Sequence, residues 1–592
     1  MTDYIAPLDD MRFLMNDVFA APELWQRLPA LAEHVDPDTA NAILDEAAKI
    51  MSAVLHPLNQ PADEHGCIWH NGQVTSPPGF KEAYQLYIEG GWNSLVGDPN
   101  YGGMNMPKTL VSHVEEMLQA SGLAFGLVPM LTAGACLALS AHGSDELKER
   151  YLAKMIEGVW TGAMDLTEPH AGTDLGLIRT KAVPNDDGSY AVTGTKIFIT
   201  WGEHDLTENI IHLVLAKLPD APAGSRGISM FLVPKMLVDD QGNITAANQL
   251  SCSSIEHKMG IHGSATCVMN FDGAKGWLVG EPNKGLAAMF TMMNDERLAV
   301  GIQGLGVADL AYQQASRYAR ERRQGRNPAG AQEPDQVADS LLVHGDVRRM
   351  LLSIRAFNEA SRAFLMYISQ WLDIEKYSED AQEREHATHM VDLLTPVAKA
   401  FISDKAFDST VLAQQVLGGH GYIKEWGVEQ LVRDARVAQI YEGANGIQAM
   451  DLLGRKIVGG EGKLLALFVD DVKQFLAEHS DQDALSIYTQ ALARLLQNLE
   501  QLSQQLIEKA VKDPHVVGAA ANNYLHFFGY VACLYMWAKM IAATAGKDDD
   551  LHRVKRVVGQ FYVDYLLPQA DALQLMIQSE TTAVTALHND DF

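Results

Sequence analysis

Asn185-Asp186-Asp187-Gly188 is followed by SYAVTGTKIFIT (189–200), and together they indicate the fold class. The first four residues are typical of a turn, and the alternation with β-branched and aromatic residues after it predicts a β-strand. Further short stretches of this kind lie at 210–216, 228–234 and 266–271. We therefore expect a small antiparallel β-domain from about 162 to 279.

Helical periodicity surrounds this β-domain on both sides. Apolar residues recur at helical spacing at 41–54 and 111–118, and again from 285 almost to the C-terminus. The glycine-rich segment 459–462 indicates a hinge. The predicted fold class is therefore mainly α, with a central small antiparallel β-domain and an additional C-terminal helical domain. The expected domain boundaries are 1–161, 162–284, 285–460 and 461–592.

An apolar seam runs along one predicted helix of the last domain. Its members are Leu485, Tyr488, Leu492, Leu495, Leu499, Leu502 and Leu506. Their alternating spacing of three and four is typical of one helix face. Such a face forms either a dimerisation surface or, as the simpler reading, a packing surface inside a C-terminal bundle.

Two nucleotide-binding folds are excluded by the pattern of elements. A βαβ dinucleotide-binding domain needs strands that alternate with helices, and here the strands are grouped together. Gly301, Gly304 and Gly306 have the wrong spacing for its glycine motif, and Leu464 stands where a phosphate-binding loop needs Ser or Thr.

Composition places the chain among ordinary globular proteins, with 47% hydrophobic and 20% charged residues. The net charge of −29 argues against nucleic acid and against anionic membrane surfaces as partners. The five cysteines are scattered, which predicts neither a disulfide framework nor a zinc site, and the histidines lack a third ligand. We expect no signal peptide, no membrane-spanning helix and a cytoplasmic location.

Four stretches contain residue types that bind cofactors or carry out proton transfer, although each has a simpler reading. The stretches are Thr167-Glu168-Pro169 with Ala171-Gly172-Thr173-Asp174, Lys196-Ile197-Phe198-Ile199-Thr200-Trp201, Gln415-Val416-Leu417-Gly418-Gly419-His420-Gly421-Tyr422, and Tyr441-Glu442-Gly443. Taken singly, the first could be a capped loop and the second a strand end in the core. The third could be a helix C-cap, and Glu442 could be an acid at a helix N-terminus.

In their order and spacing, these four stretches resemble the acyl-CoA dehydrogenase family. The resemblance covers roughly 84–457. The N-terminal residues 9–13 and the tail 463–592 resemble a bacterial subgroup that includes fatty acyl-CoA and methylthiopropionyl-CoA dehydrogenases. The resemblance implies FAD as cofactor, an acyl-CoA as substrate, an electron-transfer flavoprotein as electron acceptor, and a homodimer.

The resemblance also assigns roles to individual residues. The flavin side is assigned to Thr167, Phe198 and Thr200, and the CoA side to Thr173 and Arg297. The FAD of the partner subunit is assigned to Arg322, Gln415, Gly418 and Gly419. This chain departs from the family pattern at Phe198, where a Trp is usual, and at Ala444 and Gly446, which replace Thr and Gln.

The implied reaction is α,β-dehydrogenation of an acyl-CoA to the trans-2-enoyl-CoA, as in fatty-acid β-oxidation. Glu442 takes the α-proton, and a β-hydride passes to flavin N5. Glu296 occupies the position from which the base comes in another branch of the family, so it is the competing candidate. If Glu442 is the base, Glu296 is expected to be a polar neighbour or a solvated helix residue.

Other activities stay open. We expect a medium- or long-chain fatty acyl-CoA as substrate, with methylthiopropionyl-CoA second. An acyl-CoA oxidase, a flavin monooxygenase and a DNA-associated flavoprotein are alternatives built on the same scaffold.

Overall fold

The structure is a computed structural model, and it describes residues 4–592. The α-helices in chain order are α1 Leu8–Arg12, α2 Ala21–Arg27, α3 Pro29–Ala32, α4 Pro37–Ile50, α5 His56–His65, α6 Phe80–Glu89, α7 Lys108–Ser121, α8 Leu123–His142, α9 Asp145–Leu147, α10 Ala153–Ile156, α11 Gly285–Glu321, α12 Gly345–Tyr377, α13 Ala381–Leu417, α14 Val428–Val437, α15 Asn445–Met450, α16 Lys463–Glu478, α17 Ser486–Ala510, α18 His515–Ala542, α19 Asp550–Phe561, α20 Pro568–Ile577 and α21 Thr582–Thr585. π-Helical segments are Phe13–Val18, Met51–Leu55, Lys148–Leu152, Asp451–Val458 and Tyr562–Leu566.

The strands are shorter and, apart from a hairpin near the N-terminus, they are clustered. They are β1 Ile68–His70, β2 Gln73–Thr75, β3 Trp160–Asp165, β4 Lys181–Pro184, β5 Tyr190–Thr200, β6 Asn209–Lys217, β7 Ile228–Pro234, β8 Met236–Val238, β9 Ile244–Ala247, β10 Leu250–Ile255 and β11 Thr266–Val279. The predicted strands at 189–200, 210–216, 228–234 and 266–271 are thereby confirmed.

The chain divides into two compact units. We call Ala47–Pro107 with Ser121–Ala299 the sheet unit. We call the residues up to Glu46, with Lys108–Ala120 and Val300–Phe592, the bundle unit.

In the sheet unit, seven strands form one sheet in the order β10-β11-β5-β4-β6-β3. The seventh strand, β7, pairs with both β6 and the C-terminal end of β11, so the pairing returns on itself. β11 can do this because bulges interrupt its pairing with β5, one of them at Gly273, whose φ is 80°. The apolar helix α8 packs closely on β3, where a Cβ on Gly162 would lie 2.5 Å from the Ala135 methyl group.

Three features of this unit differ from the sequence-based expectation. β3 pairs with β6 in parallel, so the sheet is not purely antiparallel. β11 continues beyond the predicted end at 271 to Val279. Gly273 and Gly276 interrupt the alternation of apolar residues in the sequence, but the pairing of β11 with β5 continues past Gly273. The N-terminal region also contains the hairpin β1–β2, whose Asn71-Gly72 turn has φ of 49° and 83°, as a two-residue hairpin turn requires.

In the bundle unit, the long helices α12, α13, α17 and α18 pack around an apolar core. The predicted seam on α17 is buried within the chain, with Leu492, Leu495 and Leu499 fully inaccessible. The bundle reading of the seam is therefore correct, and the seam is not an exposed dimerisation face.

A buried cluster of charges ties distant segments of the bundle unit together. The Arg362 guanidinium on α12 pairs with Asp10, with Glu116 at 2.5 Å and with Asp309 at 3.2 Å. Burial raises the pKa of Glu116 to about 7 against the opposing effect of Arg362. Such a cluster is costly to disturb because Glu116 and Asp309 share the same guanidinium.

Two helices are long and apolar enough to cross a membrane, judged by length and composition alone. They are α8 and α18, and 78% and 83% of their most apolar windows are buried in the folded chain. That degree of burial is typical of core helices.

Candidate active site

The predicted base lies in a strained turn of the bundle unit. Glu442 has a φ of 53° and Gly443 a φ of 82°, and Glu442 stands three residues before α15 begins. The left-handed region disfavours residues with a Cβ, so surrounding contacts must hold Glu442 there, as is common at functional sites. Glu442 therefore precedes α15 and does not lie in its first turn.

Two buried polar side chains, Gln448 and Lys399, hold this turn. Nε2 of Gln448 donates to the carbonyl oxygen atoms of Glu442 at 3.1 Å and Gly443 at 3.3 Å. Nζ of Lys399 donates to the Gly443 carbonyl at 2.9 Å and to Oδ1 of Asn445 at 2.8 Å. The Glu442 side chain is half-buried.

The competing candidate, Glu296, lies on α11 in the sheet unit. Its side chain is completely buried, and a Cβ on Gly134 would lie 2.4 Å from its Oε1. The expectation of a solvated helix residue is therefore wrong. The adjacent Arg297 is half-buried, and its guanidinium carbon lies 5.7 Å from the centre of the Phe290 ring.

Phe198 combines a left-handed backbone with an exposed aromatic ring. It lies within β5 at an irregularity of the β5–β11 pairing, with a φ of 60°. Its side chain is 59% exposed, whereas Trp201 at the end of the same stretch is buried and donates to the Ala124 carbonyl at 3.1 Å. Trp201 therefore belongs to the core, as the simpler reading of this stretch expects. Phe198 does not, and its ring has an exposed face that a ligand can contact.

The Thr167 turn is attached to the same strand. The Thr167 carbonyl accepts the Ile197 N–H at 2.9 Å, one residue before Phe198. Buried Lys196 donates to the Leu166 carbonyl at 2.8 Å and to Glu168 at 2.9 Å. Burial opposes ionisation of Glu168, but the Lys196 charge and hydrogen bonds outweigh it and lower the pKa of Glu168. Thr167 is half-buried, and Thr200 pairs with Thr266 on β11.

The remaining candidates are exposed. Thr173 lies in an open loop of the sheet unit, and Arg322 and Gln415 are exposed in the bundle unit. Gly418 caps α13 with a φ of 58°, and no atom lies within 4 Å of a Cβ built on Gly418 or Gly419. The C-cap reading of this stretch is correct, and the glycines also leave the backbone open to a ligand.

Two lysines of these sites were missed in the sequence. Lys196 and Lys399 each stand alone in an apolar stretch, and both are completely buried in the structure. A lone charge in an apolar run indicates a buried hydrogen-bonded role, because an unpaired buried ammonium group is too costly to retain. Among residues 4–592, no group of three or more His, Cys, Asp or Glu side chains is placed to hold a metal ion.

Comparisons with known proteins identify the family. The N-terminal, middle and C-terminal domains of acyl-CoA dehydrogenases match residues 37–159, 163–274 and 283–457. A further domain, described as acetyl-CoA dehydrogenase C-terminal like, matches 468–588. The 3-methylmercaptopropionyl-CoA dehydrogenase of Ruegeria pomeroyi is 40% identical over 583 residues, which cover 96% of this chain and 97% of that protein. The chain belongs to the acyl-CoA dehydrogenase family.

Other relatives of this acyl-CoA dehydrogenase agree. A butyryl-CoA dehydrogenase of Syntrophomonas wolfei is 34% identical and covers 98% of both chains. An acyl-CoA dehydrogenase from Bacillus anthracis, solved in complex with FAD, has the same fold, with a TM-score of 0.74 at 19% identity over 98% of this chain and 92% of that one.

Membership fixes the general activity. The protein is an oxidoreductase that acts on CH–CH groups, and the acyl-CoA dehydrogenase family uses FAD. The predicted family, fold class, enzyme class and cofactor are confirmed.

Proposed function

We propose that this acyl-CoA dehydrogenase oxidises a short acyl-CoA to the 2-enoyl-CoA, with Glu442 as the base that takes the α-proton. The observation that carries the proposal is the left-handed Glu442 in a turn held by Gln448 and Lys399. A base held in position in this way contributes a rate factor of roughly 10² to 10⁴ by general base catalysis. The backbone N–H of Glu442 is proposed to bind the thioester carbonyl, where charge develops as the proton leaves.

The proposed contacts with FAD and CoA are made by exposed or half-buried residues of both units. In the sheet unit, Thr167, Phe198 and Thr200 are proposed to hold the flavin, because an exposed ring on a strained strand has few other uses. In the bundle unit, Arg322, Gln415, Gly418 and Gly419 are proposed to bind the FAD of a partner subunit in a homodimer. Bound FAD supplies the acceptor for the β-hydride. Thr173 and Arg297 are proposed to contact CoA.

A short substrate is favoured by two of the relatives that match this chain over nearly its whole length. One acts on butyryl-CoA and the other on 3-methylmercaptopropionyl-CoA, whose acyl group is about as long as a pentanoyl group. We therefore place 3-methylmercaptopropionyl-CoA first, ahead of the medium- or long-chain substrate expected from the sequence.

A panel of acyl-CoA thioesters tests this choice. The rate of anaerobic flavin bleaching is measured with 3-methylmercaptopropionyl-, butyryl-, hexanoyl-, octanoyl- and palmitoyl-CoA. The proposal expects the highest kcat/KM among the first two. A maximum at octanoyl-CoA or longer would contradict the short-chain assignment while leaving the reaction class intact.

The electron acceptor is proposed to be an electron-transfer flavoprotein, and the location is proposed to be the cytoplasm. Reoxidation of the reduced enzyme distinguishes the acceptor from oxygen. We expect fast reoxidation by an electron-transfer flavoprotein and slow reoxidation in air. Fast reoxidation in air with formation of hydrogen peroxide would instead indicate an oxidase.

A further inference from the structure

One carboxylate on α13 holds both ends of the turn that carries Glu442. Oδ1 of Asp404 accepts hydrogen bonds from Nε2 of Gln439 at 2.6 Å and from Nδ2 of Asn445 at 2.7 Å. The backbone N–H of Asn445 also donates to the Gln439 carbonyl at 3.0 Å. The segment 439–445, which we call the base loop, therefore closes at one point, and Glu442 is its middle residue.

The other oxygen of Asp404 is held from a different part of the chain. Oδ2 accepts a hydrogen bond from Nε2 of His526 on α18 at 2.9 Å. The side chains of His526 and Asp404 are only 14% and 21% exposed, so water competes weakly for this contact. His526 lies in the additional C-terminal region, 468–588, whereas Asp404 and Glu442 lie in 283–457. The extra domain thus reaches the base loop through one carboxylate.

The orientation of this carboxylate depends on His526. Burial opposes ionisation of Asp404, but the hydrogen bonds from His526, Gln439 and Asn445 and the charge of His526 outweigh it, so the pKa of Asp404 is lowered. An ionised carboxylate only accepts hydrogen bonds, and its terminal torsion is broad. Without the His526 donor, the remaining donors contact a single oxygen, and the group can rotate away from the base loop.

We infer that His526 is a positioning residue for the reaction, because through Asp404 it fixes the base loop and with it the Glu442 carboxylate. The inference rests on the proposed role of Glu442 as the base. It gives the additional C-terminal domain a part in proton abstraction. A misplacement of about 1 Å can lower an enzymatic rate about 100-fold, so a modest shift of the base loop is sufficient for a large effect.

Three substitutions of His526 separate the hydrogen bond from the rest of the side chain. His526→Ala removes the donor. His526→Gln places an amide N–H close to the position of Nε2, whereas the shorter side chain of His526→Asn does not reach it. All three remove the ring that packs edge-on against Phe401, so packing alone cannot separate Gln from Asn.

A matched control tests whether any loosening of the same helix has the same effect. Tyr535, also on α18, donates to Oδ2 of Asp471 at 3.0 Å, and Tyr367 on α12 donates to the same oxygen at 2.5 Å. Tyr535→Phe therefore removes a buried hydrogen bond of the C-terminal domain that has no contact with the base loop. We expect it to lower the thermal unfolding temperature without slowing proton abstraction.

Two measurements on the FAD-loaded, full-length protein report on the base loop. Amide hydrogen exchange is followed by mass spectrometry for peptides that cover 439–447, and it reports loop mobility directly. Proton abstraction is followed with an acyl-CoA analogue whose β-carbon is replaced by sulfur. That analogue has α-hydrogens but no β-hydrogen, so in D₂O the base removes an α-proton and returns a deuteron without any oxidation.

The inference expects α-exchange that is about 10- to 100-fold slower in His526→Ala and His526→Asn, together with faster amide exchange at 439–447. His526→Gln should lie within about threefold of wild type, and Tyr535→Phe should equal wild type. Wild-type rates in His526→Ala would overturn the inference, as would equal losses in all four variants. Retention of α-exchange in Glu442→Gln would refute the base itself, whereas loss there with full rates in His526→Ala would refute only the role of His526.

Discussion

Gly443 provides the sharpest structural test of the turn that carries the base. Its φ of 82° lies in the left-handed region, where a residue with a Cβ costs about 1–2 kcal/mol. A Cβ at this position would also lie 2.6 Å from Nε2 of Gln448. Gln448 would have to move, which weakens its hydrogen bonds to the Glu442 and Gly443 carbonyls, each a net contribution of about 1 kcal/mol.

The sum is roughly 2–4 kcal/mol against the native turn, and a local shift of the turn relieves it more easily than unfolding of the whole protein. We therefore expect Gly443→Ala to lower the rate of anaerobic flavin reduction about 100-fold while the unfolding temperature changes by less than about 4 °C. Stopped-flow absorbance and calorimetry measure the two quantities.

Gly446 offers a matched control three residues further along. It lies in α15, and no atom lies within 4 Å of a Cβ built on it. Gly446→Ala should reduce the flavin at the wild-type rate. Equal rates of flavin reduction in Gly443→Ala and Gly446→Ala would show that the left-handed turn does not position Glu442.

Three further predictions concern the two units separately. Arg362→Met leaves the carboxylates of Glu116 and Asp309 without their shared partner, so we expect the free energy of unfolding to fall by about 3–5 kcal/mol in urea titrations, and an unchanged midpoint would contradict the buried cluster. The pKa of Glu168 is lowered in the folded protein, so ionised Glu168 stabilises the fold above its ordinary pKa of 4.5. This stabilisation is lost as the pH falls below 4.5 and Glu168 takes up a proton. The unfolding temperature of Glu168→Gln should therefore depend less on pH below 4.5 than that of wild type. Phe198→Gly keeps the left-handed backbone and removes the ring, so FAD titrations should show an affinity roughly tenfold lower, and an unchanged Kd would exclude the ring as a flavin contact.

The sequence predicted best those parts of the structure that depend on residues adjacent in the chain. The strand at 190–200 follows a turn whose Gly188 has a φ of 81°, and both parts are visible in the printed sequence. The short hairpin β1–β2 was missed although its Asn71-Gly72 turn is a local signal, because its two strands are only three residues long. The parallel pairing of β3 was not predictable, because β3 is buried along almost its whole length and its sequence has no alternation that would indicate a strand.

In the active site, too, contacts between residues far apart in the sequence could not be predicted. Glu442 and Phe198 could be selected through the resemblance to the acyl-CoA dehydrogenase family, although each has a simpler reading when its stretch is taken alone. The side chains that hold the base loop could not, because Asp404 and His526 are 122 residues apart and meet only through the packing of α13 against α18. Helical periodicity identifies which face of each helix is buried, but it does not give the register between two helices.

The central claim, that Glu442 is the base, is tested most directly by replacing each of the two candidate carboxylates. Glu442→Gln and Glu296→Gln are compared with wild type in anaerobic flavin reduction by 3-methylmercaptopropionyl-CoA and butyryl-CoA, after FAD content has been shown to be equal. We expect flavin bleaching to be slowed at least about 1,000-fold in Glu442→Gln and to remain rapid in Glu296→Gln. Rapid bleaching in Glu442→Gln together with its loss in Glu296→Gln would show that Glu442 is not the base and would move the base to α11.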